Sequence, residues 1–187
     1  ATGPTLSEID VTTHKVVNTF NDFAPGTYVE RTLASANGAL WVAGKTTDDQ
    51  GEVLKVNPAN GSVEAVAPVN GLPTDLAVDN SGNVWVANES GNQVLEIASE
   101  SAKVTQTIAV EGNPYGIALD SSGNLFASQP GTNSMAVINV ATGQVTQQGI
   151  AVGAYPDKVA VDAFGHPWVG NLKNAPTDPP GGSVSVL

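Results

Sequence analysis

The sequence predicts an all-β protein assembled from repeated four-stranded antiparallel sheets. Three observations carry this. First, a turn glycine recurs at Gly38, Gly82, Gly123 and Gly165, at separations of 44, 41 and 42 residues. Second, the prolines Pro73, Pro114 and Pro156 hold the same phase, 41 and 42 residues apart. Third, an aromatic residue follows each glycine by three positions: Trp41, Trp85, Phe126 and Trp168. Three markers in one register define a repeat of about 40–45 residues, the length of a four-stranded propeller blade.

Each unit reads as four short strands. In the second unit, "TDLAVD" (residues 74–79) alternates apolar and polar side chains, as a half-buried strand does. "DNSGN" then signals a tight hairpin, with Gly82 suited to positive φ. "VWVAN", "QVLEIA" and "KVTQTIAV" supply the second, third and fourth strands. Strands spaced at roughly 8–12 residues with turn chemistry between them indicate an all-β architecture. A helical reading fails, because 20 glycines and 12 prolines leave no uninterrupted amphipathic run. Asp79, Asp120 and Asp162 open the repeated D-x-x-G hairpins, and they are read as turn formers that bond nearby backbone amides.

Aligning the ends to the repeat gives a partial blade at residues 1–22, blades at 23–68, 69–110 and 111–152, and a partial blade at 153–187. Both ends supply a third strand, so simple closure into one ring is awkward. The expectation is a section of a larger propeller, or a subunit completed by another copy. Open blade edges are unpaired hydrogen-bonding ladders and favour self-association.

Composition narrows the function. Eighteen acidic residues against seven basic give a net charge of −11. That argues against nucleic acid or an anionic membrane surface as partner. The absence of cysteine excludes disulfides, thiolate metal sites and cysteine nucleophiles. No apolar run is long enough for a membrane-spanning helix. Few lysines and many Asn, Thr, Ser, Gly and Val give the composition of an exported protein, so an extracytoplasmic location is expected.

The segments "GLPTDLAVDNSGNVWVANESGNQVLEI" and "GNPYGIALDSSGNLFASQPGTNSMAVI" carry the pattern P-x-x-[IL]-A-[VL]-D-x-x-G-N-[VL]-[WF]. In this they resemble NHL-type and YVTN-type β-propeller repeats and the virginiamycin-B-lyase-like superfamily. The resemblance covers nearly the whole chain. It implies a propeller with more blades than this chain holds. It also implies a ligand face formed by two loop classes: those between the second and third strands, and those between blades. Such propellers serve as binding platforms, sensors and enzymes, so the resemblance fixes the fold and leaves function open.

The inter-blade loops "APGTYVER", "NGLPTD", "EGNPYG" and "GAYPDK" place Tyr28, Glu30, Arg31, Asp75, Tyr115, Tyr155, Asp157 and Lys158 near that rim. All three tyrosines of the chain belong to this loop class. Tyrosine supplies rigid amphipathic contact area; covering the ends of adjacent blades is the alternative reading. The second strands end at Gly44, Asn88, Gln129 and Asn171. The three carboxamides either form a neutral polar ring for ligand or cap free backbone groups. Two loops are enlarged, at residues 45–52 and 172–182. In the first, Asp48, Asp49 and Glu52 offer oxygen ligands to calcium, although the spacing matches no known calcium loop and a solvated acidic loop accounts for them. No other cofactor is expected.

The resemblance to virginiamycin-B-lyase-like enzymes implies histidine as the proton-moving group. Here His14 and His166 align with Ala102 and Asn83, in turns at the opposite end, and the W-F-T-E element of those enzymes is replaced by "WVAN" or "WVGN". Resemblance to propeller lactonases implies a cation held by residues such as Glu30, Asn88 and Asn171. The leading expectation is a non-catalytic binding module presenting its rim to a protein, glycan or small ligand. A lactonase-like or lyase-like enzyme, and a structural subunit that shares incomplete blades, are the alternatives.

Overall fold

The computed structural model describes residues 5–21, 28–172 and 182–187, with backbone alone at 28–33. Its strands are β1 (Leu6–Ile9), β2 (Val16–Phe20), β3 (Tyr28–Ala36), β4 (Ala39–Lys45), β5 (Gly51–Val56) and β6 (Val63–Val69). They continue as β7 (Pro73–Val78), β8 (Val84–Asn88), β9 (Gln93–Ala98), β10 (Lys103–Ala109), β11 (Ile117–Leu119) and β12 (Asn124–Gln129). The last are β13 (Ser134–Asn139), β14 (Gln144–Ala151), β15 (Pro156–Val161), β16 (Pro167–Asn171) and β17 (Ser183–Val186). No helix occurs among the described residues.

The strands form a β1–β2 ribbon, three four-stranded meanders (β3 to β6, β7 to β10, β11 to β14) and a three-stranded β15–β16–β17 sheet, all antiparallel. The architecture is a β-propeller of four-stranded blades. The first strands β3, β7, β11 and β15 neighbour one another in sequence order and form the inner side.

The hairpin chemistry follows the sequence. Asp79 Oδ1 accepts from the backbone N–H of Ser81 and Asn83, at 2.8 and 3.0 Å. Asp120 does the same with Ser122 and Asn124, and Asp162 with Phe164 and His166. Gly82, Gly123 and Gly165 sit at φ of 84°, 84° and 89°, where a side chain would be strained. The first hairpin is shorter: Ala36 pairs with Ala39 across Asn37 (φ 48°) and Gly38 (φ 75°). That is the two-residue Asn-Gly turn that matches strand twist.

Alternation along each second strand sends successive side chains to opposite neighbouring blades. Trp41 and Ala43 pack towards Leu76, Val84 and Val86 of the next blade. Val42 packs instead with Leu6 of the β1–β2 ribbon. One blade on, Trp85 and Ala87 meet Ile117, Leu125 and Ala127. Phe126 and Met135 then meet Val169. Trp41 and Trp85 are fully buried, whereas Trp168, the same position in the last sheet, is 43% exposed. The apolar core is therefore a series of inter-blade layers.

Candidate functional site

The loops between blades and those after the second strands meet at one end. Asn92 Oδ1 accepts from the backbone N–H of Asn113 at 2.9 Å. One repeat later, Asn133 Oδ1 accepts from the N–H of Tyr155 at 2.8 Å. These bonds tie the second blade to the third and the third to the β15–β16–β17 sheet. The D-x-x-G hairpins lie at the other end with the turns between third and fourth strands, as the Val140 N–H to Gly123 O bond at 3.0 Å shows.

At the loop end the inner strands bring three of the expected residues together. Asp75 is the third residue of β7 and is 9% exposed. Its Oδ1 is 3.1 Å from Lys158 Nζ on β15, two blades away. The ammonium also donates to Thr74 O at 3.3 Å and stands 5.6 Å from the centre of the Tyr115 ring. Asp75 Oδ2 accepts from the N–H of Ile117, so the carboxylate ties both later blades to the second.

The strand between them permits this reach. Asp75, Gly116 and Lys158 each stand two residues after the repeated proline. A Cβ on Gly116 would lie 2.3 Å from Asp157 O and 2.9 Å from Lys158 Cα. Without a side chain there, β15 closes on β11 and Lys158 passes over it to Asp75.

Two residues absent from the sequence expectation hold this arrangement. Thr74 Oγ1 donates to Tyr115 O at 2.8 Å. Ser128 Oγ accepts from Gly116 N at 2.8 Å and donates to Asp157 O at 2.5 Å. Each directly precedes a residue that was singled out, Asp75 or Gln129, which was the available signal. Asp157 joins the site through its carbonyl.

Tyr155 is placed differently. Its backbone is left-handed at φ 50° and its side chain is half-buried. Its repeat counterpart Asn113 has φ 57°. Asparagine tolerates that conformation, whereas an aromatic residue is strained in it. Tyr28, Glu30 and Arg31 belong to β3, and their side chains lie outside the described residues.

The carboxamides are buried, not lined up at the rim. Asn88 Nδ2 donates to Asn70 O at 2.8 Å, and Gln129 Nε2 to Glu111 O at 2.6 Å. Asn171 Nδ2 donates to Ser185 Oγ at 3.0 Å. They latch inter-blade loops and neighbouring strands, because a buried amide N–H needs an acceptor. Where the first blade has Gly44 instead, its cross-strand partner is Glu52, 8% exposed.

That position removes Glu52 from the acidic loop, which spans residues 46–50 between β4 and β5. Asp49 pairs with Lys45 at 2.9 Å, and Asp48 is exposed. Among the described residues no three acidic or histidine side chains converge to hold a metal ion. The second enlarged loop falls mostly outside the described residues. His14 lies in the β1–β2 turn and His166 in the β15–β16 hairpin, where its Nδ1 is 3.2 Å from Asp162 Oδ2.

No protein-family model and no curated protein matches the sequence. Solved structures do match in fold. Kuenenia stuttgartiensis hydrazine synthase is similar with a TM-score of 0.72 at 18% identity, over 88% of this chain and 49% of that chain. A protein of unknown function from Bacteroides caccae gives 0.65 at 14% identity, over 87% and 62%. A streptogramin B lyase gives 0.61 at 15% identity, over 86% and 54%. The chain thus spans about half to three fifths of the lengths of these structures. What is shared at such identities is the fold, and with the observed sheets it establishes this chain as a β-propeller repeat protein of four-stranded blades.

Proposed function

We propose that the chain is a non-catalytic binding module that takes a polar ligand at the loop end of its inner strands, outside the cytoplasm. One observation carries the reading: the half-exposed Lys158 ammonium is fixed by buried Asp75 beside the face of Tyr115. The cluster draws on three successive blades, so its geometry is set by the fold. An ammonium with two of its three N–H groups engaged and one left over, next to an aromatic face, suits a ligand carrying carboxylate or hydroxyl groups on a compact ring, as glycans and many small metabolites do. Strain at Tyr155 supports the same end, because a residue kept in an unfavourable conformation asks for a reason in function. The two histidines, at the opposite end, supply no proton-moving group to this cluster. The extracytoplasmic location rests on composition alone.

The test is a 15N–1H NMR titration with galacturonate, and with galactose as its uncharged counterpart. Binding at this site would shift the amides of residues 74–76, 115–117 and 157–158, and Lys158→Ala would remove the shifts while the fold persists. Saturable shifts confined to other regions, or no change on Lys158→Ala, would discard the proposal.

A further inference from the structure

Two neighbouring inter-blade grooves at the hairpin end are built from equivalent positions, and the chain fills one of them itself. Between the first and second blades, Lys55 on β5 reaches across and donates from Nζ to Ser99 O at 2.9 Å. Its ammonium stands 5.7 Å from the centre of the Trp41 ring. Asn37 donates to Ser99 Oγ at 2.9 Å and covers Gly82 so closely that a Cβ there would meet its Nδ2 at 2.3 Å. The groove holds a primary ammonium on an aliphatic stem.

The groove between the second and third blades has an equivalent frame, but no lysine crosses it; one long bond at its edge, from Asn80 Nδ2 to Ser121 O at 3.4 Å, links the two blades. Glu96 pairs with Trp85 as Lys55 pairs with Trp41. Glu96 turns back into its own blade, accepting from Asn83 Nδ2 at 2.9 Å and Thr105 Oγ1 at 2.7 Å. Ser99, just past β9, is replaced by Val140, just past β13. Gly123, the counterpart of Gly82, has among the described residues only its own blade's Val140 near its open side, at 3.3 Å from an added Cβ. What remains is a cleft of about 460 Å³ whose lining includes Glu96, Asp79, Asp120 and Gln106 and, among the described residues, no basic side chain.

We propose that this cleft binds a primary ammonium group on an aliphatic stem, seated as the Lys55 ammonium is seated in the adjoining groove. Three observations support it. Glu96 is more than nine-tenths buried, lines the cleft, and occupies the strand position that Lys55 holds in the adjoining blade. A carboxylate has about four acceptor positions, so its two existing bonds leave capacity for a third donor. The carboxylates are too dispersed to form a metal site, since no three acidic side chains converge among the described residues; the separation instead suits an organic cation lying along the cleft. This site is at the opposite end from the Lys158 cluster and stands or falls independently of it.

The experiment is an NMR titration of the whole chain with 1,5-diaminopentane, against 1,5-pentanediol at matched ionic strength. Saturable shifts at the amides of Asn83, Ser121 and Gly123 with the diamine, and none with the diol, are the expected result. Glu96→Gln should weaken binding about tenfold, the scale of one charge-assisted hydrogen bond. Gln106→Lys should abolish binding by placing the chain's own ammonium in the cleft, and it carries the test if Glu96→Gln does not fold. A parallel titration with Nα-acetyl-lysine amide separates the sources: tighter binding of this compound assigns the cleft to a lysine side chain of a protein, and tighter binding of the diamine assigns it to a free polyamine. Equal shifts from the diol, diamine shifts scattered over other acidic surface, or unaltered affinity in a folded variant would overturn the proposal.

Discussion

Replacing Gly116 with alanine should separate the inner strands that build the Lys158 site. The new methyl would lie 2.3 Å from Asp157 O and 2.9 Å from Lys158 Cα. Both are backbone atoms of β15, so no side-chain rotation relieves the contact and the strand itself must retreat. Forcing a methyl into a filled interior costs about 1–3 kcal/mol. The retreat also stretches the Ser128 bridge between Gly116 N and Asp157 O. Against this stands a gain of about 0.4–1 kcal/mol from a stiffer unfolded chain. A net loss of about 1–2 kcal/mol corresponds to a fall in Tm of about 2–8 °C at this size. The matched control is Gly170→Ala, since a Cβ at Gly170 has only Lys158 O in range, at 3.9 Å. That variant should stay within about 1 kcal/mol of the parent. Urea unfolding followed by tryptophan fluorescence compares the two. Equal stabilities would show that close approach of β15 to β11 is not what glycine provides here.

Asp162 accepts from the Trp168 indole N–H, and with the His166 and Phe164 amides this overcomes partial desolvation and lowers its pKa from 3.8 to about 2. Its folded pKa is below the unfolded value, so its stabilising contribution is complete above about pH 4 and disappears as pH falls through about 2; a carboxyl 13C titration checks this, and Asp162→Asn should flatten that acid limb. At Asp120, burial alone would raise the pKa, but the Asn124 side-chain amide and the Asn124, Ser122 and Gly123 N–H groups outweigh it, so the acid limb runs in the same direction. Asn88→Ala should cost about 1–3 kcal/mol by stranding the Asn70 carbonyl, measured by thermal unfolding. Tyr155→Asn should raise stability by about 1 kcal/mol by relieving the left-handed strain, while weakening any ligand held by that tyrosine.

The fold was legible because its determinants are local. The D-x-x-G hairpins close through bonds spanning two to four residues, and a period-2 pattern assigns each strand's faces without knowledge of its neighbours. The site was only partly legible. The repeated proline located Asp75, Tyr115 and Lys158 on one rim, yet their meeting depends on a glycine just before the strand between them. The carboxamides at the ends of the second strands were visible as a pattern, but their burial follows from inter-blade loops folding over them. Lys55 and Glu96 drew no notice, because each is ordinary until the two grooves are compared.

That comparison separates the work of the repeat from the work of the individual blade. Positions kept alike between units, such as the aspartates of three of the four hairpins and the aromatic after the glycine in all four, act within a sheet or in the layer between two sheets. Positions that differ between units are where chemistry concentrates. Asp75, Gly116 and Lys158 occupy one place in three blades as an acid, a gap and a base, and only that inequality lets them form an ion pair across two blades. Lys55 and Glu96 likewise occupy one place as a base that fills a groove and an acid that leaves one open. Identical blades would give neither a charge pair nor a vacant cleft. The experimental consequence is directional: exchanges that make blades more alike, such as Glu96→Lys, should close a site while leaving the fold intact, whereas changes at shared positions, such as Trp85→Ala, should cost about 3–5 kcal/mol and remove the fold before any binding can be measured.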